Sequence, residues 1–290
     1  MTPIPSVDAI LFAATALPGL ACFDTGLKTT LVTWGAGPVC TDVDQWQSFV
    51  RRHCKLQQVP THSFTGGIVG WLGYEAGKSV EQMPPPSGPR PTHDVCLWRT
   101  EGGMTFNHAN GQWTISGTPE FQSEANSVMR RAIQNPISET PNHNPEPWQP
   151  NDCTVQSKHF QQNVGSILSA IRSGDVYQVN LAWEQTNIPI ENGLKTWLIL
   201  RRQNPALRGC YLRHDFTEVI SNSPELFLHI DSATNTVSSI PIKGTAPVSG
   251  GSKAKDALEC SPKEQAELTM IVDLVRNDLG RIATPGTVLA

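Results

Sequence analysis

Residues 210–245 read CYLRHDFTEVISNSPELFLHIDSATNTVSSIPIKGT. Four short β-prone runs stand out, around Cys210–Arg213, Glu218–Ser221, Leu226–Ile230 and Thr236–Ile240. Strand following strand through tight turns predicts antiparallel sheet, and hence an α+β class rather than alternating βαβ units. The stretch ends in Pro241-Ile242-Lys243-Gly244-Thr245, with the flexible tract Ser249-Gly250-Gly251-Ser252 shortly after. A lysine between a rigid turn and a glycine is well placed to present an amine to a small ligand. The ordinary fate of a loop lysine is simply to face water, and these residues alone do not decide between the two.

Further along, Ser261-Pro262-Lys263-Glu264 has the form of a helix start: Ser as N-cap, Pro at the first helical position, Glu closing a capping box. The helix it opens carries Met270, Ile271, Leu274 and Val275 on an apolar side. Glu267 shares that side at helical spacing. Burying an unpaired carboxylate is costly, so Glu267 should meet a cation, a metal or a proton. The local alternative is an ion pair with Lys263, four residues earlier.

Upstream, Ser157 is the expected cap of a helix bearing Phe160, Val164, Ile167, Leu168 and Ile171, closed by Ser173-Gly174. Val176–Trp183 alternates like a strand, with Gln178 and Asn180 on one polar face. A second helix is expected from about Glu191 to Gln203. Earlier still, Ala9–Ala21 is apolar and reads as a core strand or helix, Leu31–Trp34 as a strand, and residues 42–50 as a short helix capped by Asp42. Phe64–Glu75 is glycine-rich but lacks the dinucleotide-binding spacing, so its glycines are read as places where another backbone approaches closely. Met83–Pro91 is an extended loop. Val95–Trp98 and Gln112–Ser116 resemble a hairpin with Asn110-Gly111 at its turn, and a helix is expected over Phe121–Ile133. Residues 135–152 hold five prolines and little that could be buried, which predicts a linker or long surface loop.

The chain has 290 residues, 38% hydrophobic and 17% charged, with a net charge of −4. That composition is globular and offers no basic footprint for nucleic acid or an anionic membrane. The seven cysteines contain no C-x-x-C and no zinc spacing, so they are read as reduced thiols of a cytoplasmic protein. The apolar N-terminal run contains Pro18 and Gly19 and is too short to span a bilayer.

Taken together, Ser173-Gly174-Asp175-Val176-Tyr177-Gln178, Ser223-Pro224-Glu225, Pro241-Ile242-Lys243-Gly244-Thr245 and Lys263–Arg281 resemble the chorismate-utilising enzymes. Phe64–Glu75 also resembles a family stretch. The resemblance implies largely antiparallel sheets in a β-sandwich flanked by helices. It places an anthranilate-synthase-like region at 1–134, the linker at 135–152, and the first portion of the chorismate-binding domain at 153–290. The family continues past the point matching Ala290, with a second metal-binding glutamate among the residues that follow. These residues alone are therefore expected to be an incomplete domain and catalytically crippled.

Chorismate is a small dianion with a C4 hydroxyl. The resemblance implies Glu225 as general acid, Glu267 and Glu264 as Mg²⁺ ligands, Thr245 with the Gly244 backbone as contacts for the ring carboxylate, and Gln178 as a further substrate-binding residue. Lys243 points to the branch that forms aminodeoxychorismate, where the lysine attacks C2 and expels the C4 hydroxyl before ammonia adds at C4. Such an amine attacks only when neutral. Ammonia would come from a glutamine amidotransferase partner. The anthranilate-forming branch usually has alanine in place of this lysine. Gln178 stands where the isochorismate and salicylate branches place a lysine base, and a glutamine cannot activate water in that way. Ala246-Pro247-Val248-Ser249 departs from the family's basic run. A non-catalytic docking or binding module that keeps the fold is the remaining expectation.

Overall fold

The computed structural model describes residues 4–26, 28–54, 64–84, 92–136, 153–182 and 190–290. Contacts divide the chain into two units, residues 1–137 with 193–290, and residues 138–192. Within the first unit lie helices α1 (Val7–Ala14), α2 (Trp46–His53) and α3 (Pro119–Gln134), and strands β1 (Leu20–Asp24), β2 (Thr29–Thr33), β3 (Val39–Cys40), β4 (Gly67–Leu72), β5 (Val95–Thr100), β6 (Gly102–Asn107) and β7 (Gln112–Gly117). The second unit holds α4 (Cys153–Ser173). The first then resumes with α5 (Gly193–Gln203), β8 (Arg208–His214), β9 (Thr217–Ser223), β10 (Leu226–Asp231), β11 (Thr236–Ile240), α6 (Gly251–Glu259) and α7 (Pro262–Gly280).

Every strand pairing among the described residues is antiparallel, as the class assignment requires. A six-stranded sheet runs β7-β6-β2-β1-β8-β9. Residues before and after the proline-rich segment share it, because β1 pairs with β8 through Ala21↔Leu212 and Cys22↔Tyr211. Strand alternation sorts its side chains into two cores. Cys22 and Tyr211 face a cluster with Val32, Trp34 and Met104 that α1, α3 and α5 cover through Ile10, Val128 and Trp197. Ala21 and Leu212 face the other way, onto Val69, Cys96 and Trp98 of the three-stranded sheet β3-β5-β4. The two sheets thus pack as a sandwich, and α2 covers the far side of the smaller one through Trp46 and Phe49.

The close backbone approach expected of the glycine-rich stretch occurs at Gly70, where φ is +147° and a Cβ would sit 1.9 Å from the Cys96 carbonyl oxygen. Gly70→Ala is expected to destabilise the protein by about 2–3 kcal/mol, read as a fall in the urea midpoint at unchanged slope. Burial drives the Cys96 thiol up from 9.0 to about 11, with Asp215 and Cys40 adding to it. The unfolded chain gives up this proton first. Stability should therefore hold below pH 9.0 and fall as pH rises toward about 11; burial raises Cys22, Cys210 and Tyr211 too, so Cys96→Ala should make that slope shallower without removing it.

Several local expectations are corrected. The partner of β7 is β6, not residues 95–98, which belong to the other sheet. Asp42 does not cap α2. Its carboxylate accepts from the Asp44 N–H at 2.8 Å in a local turn, and the helix begins at Trp46 after Gln45. Helix α4 starts at Cys153, so Ser157 lies inside it. Residues 176–182 form no strand, because alternation marks a two-faced segment but a strand needs a second backbone to pair with, and none among the described residues pairs here. Residues 249–252 are not a loose tract: they form a short helical turn and open α6. Most of the 83–91 loop and of the 135–152 segment lies outside the described residues, as do Trp183 and the side chain of Ser157.

Candidate functional site

The site is assembled on the last third of the first unit. Beyond Leu212 no described residue is buried, so the groups below are held by turns, caps and ion pairs rather than by a core. β9 runs into β10 through Ser223-Pro224-Glu225. There the Glu225 N–H donates to Ser223 Oγ at 3.2 Å. β11 pairs back on β10 as far as Leu226↔Ile240, and the chain then turns through residues 241–245. In that turn the Ile242 N–H donates to Glu225 Oε1 at 3.2 Å, which ties the acidic side chain to the residue before Lys243.

Gly244 has φ +73°, and a Cβ there would lie 2.8 Å from both Glu264 Oε2 and Leu258 Cδ1. Glycine is thus required twice, for the left-handed backbone and for the close passage over α7. Helix α7 starts with the predicted cap and proline, Ser261 Oγ accepting from the Glu264 N–H at 3.4 Å and Pro262 in the first turn, but the Ser261 N–H goes to the Leu258 carbonyl rather than to Glu264. Glu264 itself accepts from Lys263 Nζ at 3.1 Å. That hydrogen bond, with the charge of Glu264, raises the Lys263 ammonium above its ordinary range.

One turn on, Glu267 pairs with Lys243 Nζ at 3.9 Å, with side chains 23% and 32% exposed for the lysine and the glutamate. The cation expected for Glu267 is thus supplied by Lys243, and its charge also acts on Lys263. The structure therefore brings Glu225, Lys243, Gly244, Glu264 and Glu267 around one turn. Thr245 is exposed next to Gly244. Gln178 belongs to the second unit, half-buried after the end of α4. Sequence reasoning did not find the Ile242 N–H or the Ser223 hydroxyl. A backbone donor leaves no side-chain signal, and only the neighbouring prolines hinted at it.

The family model for chorismate binding enzymes matches residues 25–290. The chain belongs to that family. It is 30% identical over 244 residues to aminodeoxychorismate synthase component 1 of Klebsiella aerogenes, covering 81% of this chain and 52% of that one. It is 36% identical over 241 residues to anthranilate synthase component 1 of Saccharolobus solfataricus, again covering 81% of this chain and 52% of the relative. The crystal structure of anthranilate synthase component I from Streptococcus pneumoniae shares the fold, with a TM-score of 0.58, 20% identity, and coverage of 91% of this chain and 62% of that chain. The chain spans about half the length of the curated relatives it matches.

The two carboxylates one turn apart on α7 are a donor set that suits magnesium, which takes one or two carboxylates and completes its shell with water or substrate oxygens. No group of three or more metal-ligating side chains occurs among the described residues. No helix among them is long and apolar enough to cross a membrane.

Proposed function

We propose that this chorismate-binding chain belongs to the aminodeoxychorismate branch, replacing the C4 hydroxyl of chorismate by ammonia. The observation that carries the reading is Lys243, held by the Gly244 turn and set against Glu267. A neutral amine is the nucleophile this chemistry needs, and the turn that presents Lys243 also ties down Glu225, the proposed acid, through the Ile242 N–H at 3.2 Å. Lys243 would attack C2 while Glu225 protonates the departing C4 hydroxyl, which leaves as water. Ammonia would then add at C4 and expel the lysine.

Glu264 and Glu267 would hold magnesium, which when bound supplies positive charge to neutralise the substrate's ring carboxylate. Thr245 and the Gly244 backbone would contact the same group. Gln178 has no basic nitrogen with which to activate water in competition with ammonia. The ammonia source would be a glutamine amidotransferase partner, and the setting the cytoplasm. A second reading, anthranilate formation, is favoured by the 36% identity to an anthranilate synthase component 1.

Incubation of a full-length version, extended to the length of its relatives, with chorismate, ammonium and Mg²⁺, and chromatographic separation of products, tests the choice; residues 1–290 alone are expected to turn over little or nothing. The expected product is 4-amino-4-deoxychorismate. Anthranilate would establish the second reading, and absence of any product would leave a binding module.

A further inference from the structure

One backbone donor in the site is not used by any strand ladder. β10 and β11 pair as far as Leu226↔Ile240. Just outside that pair stand Glu225 on one strand, whose N–H goes to Ser223 Oγ, and Pro241 on the other, which has no N–H; Pro224 next to Glu225 lacks one as well. The first N–H after Pro241 belongs to Ile242, and it goes to the Glu225 side chain instead, at 3.2 Å from Oε1. Ser223 fixes the backbone from which that side chain reaches. Its hydroxyl accepts from the Glu225 N–H at 3.2 Å and donates to the Glu225 carbonyl at 3.5 Å.

We propose that Ile242, through this N–H, is the positioning residue of Glu225: it makes Oε1 the carbonyl oxygen of the protonated acid and leaves the proton on Oε2. This rests on the proposed role of Glu225 as general acid. A protonated carboxyl has one O–H and one accepting carbonyl oxygen, and a fixed N–H selects the latter. When the acid acts, the Oε2–H bond breaks and the proton passes to the C4 oxygen of chorismate. The C4–O electron pair departs with that oxygen as water, and Glu225 is left as a carboxylate. The Ile242 hydrogen bond then becomes charge-assisted and stronger, so the same donor favours the state in which the proton has left. Because Ile242 immediately precedes Lys243, acid and amine are registered by one turn.

The test is NMR of the Ile242 amide in the full chain, comparing the native protein with Glu225→Gln and Glu225→Ala. Glutamine keeps a carbonyl oxygen and carries N–H in place of the acidic O–H, so it stands in for the protonated acid. Glu225→Gln is expected to keep the amide protected, at or somewhat below the native level, since a carboxylate accepts more strongly than an amide oxygen. Glu225→Ala should speed its exchange by about fivefold or more and move its proton resonance upfield. The Val237 and Ser238 amides should not change, which separates loss of this one bond from general loosening of the hairpin. Protection lost in Glu225→Gln, or retained in Glu225→Ala, would overturn the proposal. Neither outcome depends on turnover. A protected Ile242 amide together with a full-length version that fails to aminate chorismate would therefore sink the function and not the hydrogen bond.

Discussion

Lys243→Ala is expected to lower formation of the C4-amino product by at least about a thousandfold, because the variant has no amine to form the adduct at C2. The fold should survive. The Lys243–Glu267 pair spans 3.9 Å between partly exposed groups, and such a pair contributes about 0–1 kcal/mol. Lost stability therefore cannot account for lost turnover, and thermal melts of the two proteins should nearly coincide. Lys243→Arg separates charge from nucleophilicity. A guanidinium keeps the positive charge beside Glu267 but holds its proton at any working pH, so this variant should be as inactive as alanine while still binding chorismate. Residual turnover in Lys243→Ala should yield anthranilate, since the anthranilate branch resembled by this chain carries alanine there. An alanine variant that makes the C4-amino product at the native rate would remove Lys243 from the mechanism.

How far the sequence shows the site depends on how local each contact is. The strands flanking Glu225 and Lys243 were legible because alternation and turn residues mark them within a few positions, and β8 to β11 fall where residues 210–240 placed them. The cap of α7 was legible for the same reason. The second half of its capping box was not made, since the Ser261 N–H goes to the Leu258 carbonyl at 3.3 Å and Glu264 takes Lys263 as partner. The need of Glu267 for a cation was legible, but which cation was not. Lys263 is one helical turn away in sequence, but the ion pair goes to Lys243, which only the fold brings near.

Strand β6 was missed because it opens with two glycines, which weaken a strand signal. Those glycines answer to packing. A Cβ on Gly102 would meet the Phe121 ring of α3 at 2.4 Å, and one on Gly103 would meet Leu31 and Phe64 at 2.8 Å. The strand expected at 176–183 failed for the converse reason. Its alternation is real, yet among the described residues no backbone offers itself for pairing. Periodicity reports what a segment can do, whereas pairing is decided by segments elsewhere in the chain.

The largest expected loss of stability comes from the pair that joins α5 to the N-terminal strands. Arg201 donates to Asp24 through Nε at 2.7 Å and Nη2 at 2.8 Å, and Nη2 also reaches Thr30 Oγ1 at 2.8 Å. Thr30 in turn donates to Asp24 Oδ1 at 2.7 Å and is fully buried. The guanidinium lies 5.6 Å from the centre of the buried Trp197 ring. Burial works against the charge on Arg201, but the hydrogen bond and charge of Asp24 outweigh it and hold its proton above the ordinary range.

Arg201→Met keeps most of the apolar stem against Trp197 while removing every donor, so Asp24 is left as a largely buried carboxylate with only the Thr30 hydroxyl for company. The expected cost is about 3–5 kcal/mol in urea unfolding. Arg201→Lys should lose a good part of the same energy, because an ammonium cannot reproduce the two-pronged contact. The double variant Arg201→Met/Asp24→Leu should recover much of the loss, since the penalty lies in the uncompensated charge rather than in the absent bond. If the single change costs under about 1 kcal/mol, the pair is not what clamps α5 to the sheet. The consequence for the site is direct. α5 covers the sheet that contains β8 and β9, and β9 leads through Ser223 into Glu225. A loosened α5 should therefore disturb the Ser223–Glu225 turn before it disturbs α7, seen as faster amide exchange at Glu225 while the Ser261-capped first turn of α7 stays protected.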